Sequence, residues 1–200
     1  MIFETYIPYN ERESDINKIQ LISNNLVING DWLIIKMFIE SGLNPAAHNP
    51  NGDASGLIGF MPKTAISLGT SVEALREMNF YDQLDYVNKY FLPYKNQMHS
   101  YFDLSLVDFF PDALGKPDSW IFHSSDLSAQ TIAKYNPTFD LNHDNEITIE
   151  EYKKYELSKV PTIALSLLME KVSKNKNWIV PVVLFSIASA LVYKFKIAKK

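Results

Sequence analysis

Glu40 is a lone acid at the end of an apolar run, Trp32-Leu33-Ile34-Ile35-Lys36-Met37-Phe38-Ile39, and stands just before a turn-rich stretch containing Gly42, Pro45, Pro50, Gly52, Gly56 and Gly59. Such a carboxyl group could donate and recover a proton. The negative end of a helix dipole and apolar surroundings both disfavour the charged carboxylate, so both push its pKa upward. Keeping a proton near neutral pH is what protonating a glycosidic oxygen requires. From position alone, a helix-end glutamate that simply turns to water is an equal alternative. An ordinary glycosidase also needs a second carboxylate, about 5–5.5 Å away for retention or about 6.5–9.5 Å for inversion. Asp53 is the one acid in the turn-rich stretch able to serve, although an acid in Asn51-Gly52-Asp53 more often hydrogen-bonds backbone.

The second set of chemically suggestive residues is Asp140, Asn142, Asp144, Glu146, Thr148 and Glu151. Counted from Asp140, oxygen-bearing side chains fall at loop positions 1, 3, 5, 9 and 12, Glu146 offers its carbonyl at 7, and apolar Ile147 sits at 8. This is the order of an EF-hand calcium loop. The usual glycine at position 6 is replaced by Asn145, which tolerates the left-handed conformation better than most residues. The alternative is an acidic, Asn-rich turn that holds no ion. A single hand has no second hand for sensor-like opening, so bound Ca²⁺ is expected to be structural. His143 falls at a non-ligand position, and His48, His99 and His123 form no metal-binding spacing.

The elements that must position these residues read as helices. Asp31 is the expected N-cap of the apolar helix, Gly42 its C-cap, and Pro45 forbids continuation. Before it come a short extended start over 6–9 and an amphipathic helix marked by Ile16, Ile19, Ile22 and Leu26. Pro62 opens a helix to about Leu68, Ser71 caps another over 71–79, and further helices are expected over 80–91 and 98–110. Helices over 127–135 and 148–159 would flank the calcium loop. The one strand candidate is 119–123, so the expected class is mainly α.

Cysteine is absent, which removes disulfide and thiol chemistry. The net charge of −4 conceals an asymmetry: residues 165–200 hold seven of the 19 basic residues and one of the 23 acidic ones, leaving 12 against 22 in residues 1–164. An acidic head argues against nucleic-acid binding. The basic tail surrounds an uncharged run over 178–193 with Trp178 and Tyr193 at its ends, the pattern of a membrane helix with interfacial aromatics and snorkelling lysines. It is slightly shorter than the ~17–25 residues of a typical span, which Phe195 and the lysines can extend. The first residues, Met1-Ile2-Phe3-Glu4-Thr5, lack the basic and apolar regions expected of a signal peptide. The expectation is a single-pass protein anchored at its C-terminus, in a virion membrane or a host envelope.

Glu40-Ser41-Gly42-Leu43-Asn44-Pro45, followed by Ser55-Gly56-Leu57-Ile58-Gly59-Phe60-Met61-Pro62-Lys63-Thr64-Ala65, resembles the paired motifs of the lytic transglycosylase family of the lysozyme-like fold. Residues 82–91 and 109–117 further resemble phage-type members, and the similarity covers about residues 30–155. It implies that Glu40 protonates the bond between N-acetylmuramic acid and N-acetylglucosamine, then acts as base while the muramic C6 hydroxyl closes a 1,6-anhydro ring. Ser55, Gly56, Phe60, Tyr86 and Phe109 are the candidate substrate-binding residues. Two positions depart from the family pattern: Gly59 stands where Gln is usual, and Val107-Asp108-Phe109-Phe110 occupies the approximate place of a Tyr-Asn element.

The domain expectation is a lysozyme-like transglycosylase domain over 1–135, an EF-hand-like calcium segment over 136–160, a helix and linker over 161–177 and a membrane anchor over 178–196. Expected partners are peptidoglycan, a lipid membrane and virion proteins, with a bacteriophage as the expected source. The alternatives are a muramidase that adds water and a non-catalytic wall-binding virion protein on the same fold.

Overall fold

The computed structural model describes residues 3–7, 12–50, 52–162 and 165. The chain divides into two compact units, Met1–Tyr155 and Glu156–Lys200. The first is mainly α-helical. Its described residues pair as strands only at isolated bridges, His48 with Ser55, Ser55 with Phe60, and Ile121 with Thr148. In the second, the described residues continue a helix to Lys159 and bury Val160.

Helix α1, Arg12–Leu26, buries Ile19, Ile22, Ser23 and Leu26 at helical spacing and packs on α2 and α5. Helix α2, Gly30–Ser41, is the apolar helix, with Leu33, Ile34, Ile35, Lys36 and Met37 buried. Its N-cap is Asn29, whose side chain accepts a hydrogen bond from the Asp31 amide at 3.0 Å. The expectation of Asp31 as N-cap is therefore corrected by two residues: Gly30 enters the helix because Asn29 supplies the capping oxygen. Gly42 ends α2 in the left-handed region (φ 63°), where glycine carries no Cβ penalty, and its amide donates to the Phe38 carbonyl at 2.9 Å. Of the extended start expected over 6–9, Tyr6 instead ends a 3-10 turn, Phe3–Tyr6, and Ile7 is buried, while residues 8 and 9 lie outside the described residues.

Helices α3, Pro62–Ser67, and α4, Val72–Glu77, pack on each other. Helix α5 is Phe80–Phe91 and α6 is Tyr101–Phe109. Ser71, Asn79 and Ser100 cap α4, α5 and α6 by accepting from the amides of Ala74, Asp82 and Asp103. Such caps typically contribute about 1 kcal/mol each. Helix α6 packs on α2, which brings residues 105–108 beside the C-terminal half of the apolar helix.

Helices α7, Ala129–Tyr135, and α8, Ile149–Lys159, flank the acidic loop as expected. Their core contains Leu106, Phe122, Ile132, Ile147, Ile149 and Tyr152, with Phe109, Phe110, Trp120 and Phe139 packed against it. Leu106 and Phe109 come from α6, so no structural break falls at the expected 135/136 boundary. The strand candidate at 119–123 is reduced to a short pairing: the Phe122 amide donates to Ile147 and the Ile149 amide to Trp120.

The expected anchor at 178–196 lies outside the described residues, as does nearly all of the expected 161–177 linker. Among the described residues, no helix is long and apolar enough to cross a membrane.

Candidate active site

Glu40 occupies the last turn of α2, one residue before the helix ends at Ser41. Ser41 ties that end to the facing loop, with its hydroxyl donating to the Met37 carbonyl at 2.8 Å and lying 3.0 Å from that of Leu57. The loop folds back on itself through paired hydrogen bonds between Ser55 and Phe60, which bring Gly59 beside the acid. A Cβ at Gly59 would lie 3.6 Å from Glu40 Oε2 and 3.8 Å from the Ala54 side chain. Gly59 has φ 65°, so the backbone here suits glycine better than the Gln of the resembled motif.

The surroundings of Glu40 are less apolar than expected. Its side chain remains 30% accessible, and Oε1 lies 2.6 Å from Lys36 Nζ. Lys36 is the buried member of this pair, with only 2% of its side chain accessible. Its ammonium also lies 3.0 Å from Asp108 Oδ2 and 3.4 Å from Ser105 Oγ, both on α6. Burying an ammonium is costly unless opposite charge and hydrogen bonds compensate, and Asp108 supplies the charge from the protein side. Ser105 is in turn held by the Tyr152 hydroxyl, 2.9 Å from Oγ. A polar line thus runs from α8 through Ser105 and Lys36 to Glu40.

Of the expected groove residues, Tyr86 lies on α5, the helix that also carries the loop contacts Gln83 and Tyr90. It is half-buried on α5, between Gln83 and Tyr90 at helical spacing, and carries Lys89 Nζ 4.7 Å from its ring centroid. Ser55, Gly56 and Phe60 are buried beneath the loop. Ser55 Oγ accepts from Arg76 Nη1 at 2.7 Å, and the Phe60 ring meets Tyr90 edge-on at 6.2 Å. The loop amide of Leu57 donates to Gln83 Oε1, while Gln83 Nε2 donates to the carbonyls of Pro45 at 3.0 Å and Leu75 at 2.7 Å. Ser55, Gly56 and Phe60 are thus taken up in the packing of the loop against α4 and α5. Phe109 is also moved from groove to core: its ring stacks on Tyr152 at 4.8 Å and meets Phe122 and Phe139 edge-on. Asp53 is exposed on the loop turn.

Sequence reasoning missed Asp108, Ser105, Gln83 and Tyr90. A signal existed for the first: a lysine on a helix that must be buried demands a partner. The Tyr90 hydroxyl lies 3.2 Å from the carbonyls of both Val107 and Asp108. Burial pushes its phenol above the usual tyrosine range, and the Asp108 carboxylate acts in the same direction.

The acidic loop is folded around its own carboxylates. Asp140 accepts from the amides of Asp144 and Asn145, and Glu151 spans the loop, with Oε1 taking the Asn142 amide at 3.3 Å and Oε2 the Thr148 amide at 3.0 Å. Asn145 adopts φ 67°, the left-handed state required at position 6. Among the described residues no group of three His, Cys, Asp or Glu side chains is gathered as a metal cluster. The donor set also draws on Asn142, Thr148 and the Glu146 carbonyl, and its hard oxygens fit Ca²⁺.

Compared with protein-family models, curated protein sequences and solved structures, the chain matches none.

Proposed function

We propose that this chain is a peptidoglycan lytic transglycosylase of lysozyme-like fold, phage-encoded and held to a membrane by its C-terminal segment. The observation that carries the reading is the placement of Glu40, a half-open carboxyl at the end of a buried helix, facing the Gly56–Gly59 loop that Ser41 binds to it. Glu40 gives its proton to the glycosidic oxygen as the bond to muramic C1 breaks. The resulting carboxylate then takes the proton of the muramic C6 hydroxyl as that oxygen closes on C1, so no water is consumed. Asp108 already balances Lys36, so Glu40 can change its protonation without leaving the buried ammonium unpaired. Asp140, Asn142, Asp144, Glu146, Thr148 and Glu151 hold Ca²⁺, which ties α7 and α8 to the core. The anchor rests on the uncharged 178–193 run between lysines.

The two alternatives differ in outcome. A muramidase needs a second carboxylate to direct water, whereas Asp108 is committed to Lys36 and Asp53 projects from the turn. Digestion of purified peptidoglycan by the full chain in detergent, followed by mass analysis, should release anhydro-muropeptides, and Glu40→Gln should release none. Hydrated reducing ends would establish the muramidase instead. Wall binding without cleavage would establish the non-catalytic virion protein.

A further inference from the structure

We propose that Lys36 is the positioning residue of the site: an internal ammonium, fixed from behind by α6, that holds the Glu40 carboxyl in one orientation with Oε2 turned toward the sugar side. The inference rests on the reading of Glu40 as the acid.

The two ends of the contact are unequal. Lys36 Nζ is buried and lies among Glu40 Oε1 at 2.6 Å, Asp108 Oδ2 at 3.0 Å and Ser105 Oγ at 3.4 Å, so its three donor hydrogens have acceptors on two helices. Ser105 is itself pinned by Tyr152. Glu40 is the end open to solvent, and a glutamate there would otherwise sample several rotamers. Engagement of Oε1 by a fixed donor leaves Oε2 on the side of Gly59, where a residue without a side chain gives access.

Helix stability does not explain this pair. Lysine preceding glutamate by four residues is the weaker of the two orientations, and an acid in the last turn opposes the helix dipole. Burying a lysine in α2 also costs more than an apolar residue of the same length would. Both choices make sense where the acid must be aimed.

The test compares the wild-type chain with Lys36→Met and with the double variant Lys36→Met/Asp108→Asn, which removes the buried charge together with its counter-charge and so protects the fold. Steady-state cleavage of soluble glycan strands should show kcat reduced about 100-fold in both, the scale set by misplacing a reacting group by about 1 Å, with KM within about twofold. A double variant that regains wild-type kcat would overturn the proposal, since Lys36 would then merely neutralise Asp108. Crystal structures supply a second reading that does not depend on turnover. Glu40 should occupy one rotamer in the wild type and several in the double variant, and one unchanged rotamer in both would overturn the proposal. If wild-type protein cleaves no glycan, the transglycosylase reading fails, and the rotamer comparison alone decides the role of Lys36.

Discussion

The backbone of Gly56 rests on the carboxamide of Gln83 so closely that a Cβ at residue 56 would stand 2.5 Å from Oε1 and 3.0 Å from Cδ. Gln83 cannot easily withdraw, because its amide binds Leu57, Pro45 and Leu75 at once. Gly56 also has φ 79°. Gly56→Ala should therefore destabilise the protein by about 2–3 kcal/mol, the upper part of the usual range for single substitutions. A urea midpoint equal to wild type would show that the loop is not seated on Gln83.

Gly59 makes the opposite case, with room for a side chain but an unfavourable backbone. Its Cβ would meet only ordinary contacts at 3.6 and 3.8 Å, whereas φ is 65°. Gly59→Ala and Gly59→Gln should each cost about 1–2 kcal/mol, the left-handed penalty of an L-residue. Similar losses in urea denaturation would assign the cost to the backbone. A loss confined to Gln would assign it to the longer side chain.

Tyr90 gives a pH-dependent expectation. Its phenol is held protonated more firmly in the folded state than in the unfolded chain, where tyrosine ionises near pH ~10. The associated stability is complete below that pH and is lost as pH rises from there toward the folded value. Between about pH 10 and 12, wild-type stability should therefore fall more steeply than that of Tyr90→Phe. Parallel curves from chemical denaturation across this interval would refute the assignment.

Calcium should raise the melting temperature of the full chain. Binding at 100 times Kd stabilises by about 2.7 kcal/mol, equivalent to about 5–10 °C for a domain of this size. A chelator should reverse the shift, and Glu151→Gln should abolish it. Scanning calorimetry that finds no calcium-dependent shift in the wild type would remove the structural ion.

Tyr152→Phe should keep the ring stack on Phe109 while losing hydrogen bonds at 2.9 Å to Ser105 Oγ and 3.0 Å to the Ser105 carbonyl. Leaving those buried groups short of a partner should cost about 1–3 kcal/mol. A thermally unperturbed Tyr152→Phe would mean that Ser105 is anchored by other means.

Local signals carried much of the fold. Ser71 and Gly42 act at the helix ends where capping chemistry puts them, and α5 begins and ends at its expected residues. Asn29 displaced Asp31 because two adjacent residues could both cap, and only chain geometry decides between them. The helix-end position of Glu40 and the order of oxygen-bearing residues in the acidic loop were legible, since each is a local pattern. Groove residues were not. Ser55 and Phe60 lie in a glycine-rich turn that reads as exposed, and their burial depends on Arg76, Tyr90 and Gln83, which are distant in sequence. Phe109 was read as a groove residue for a similar reason: its aromatic partners Phe122, Phe139 and Tyr152 all lie more than ten residues away in sequence. Lys36 was visible as a charge, but its pairing with Asp108 joins two helices that only packing brings together.

The pairing of Ile147 and Ile149 with Phe122 and Trp120 bears on how the acidic loop could be moved or inherited. In this chain the backbone partner of the loop is built from its own upstream residues, and the apolar cluster behind it includes Leu106 and Phe109 of α6. A peptide of residues 136–160 would retain every candidate oxygen ligand yet lose both supports, so on the proposed reading it should bind Ca²⁺ far more weakly than the intact chain. The segment is therefore not portable. Insertions between α6 and the loop would disturb its seat without touching any of its oxygen-bearing residues, which ties the permissible length of that connection to the geometry of the loop.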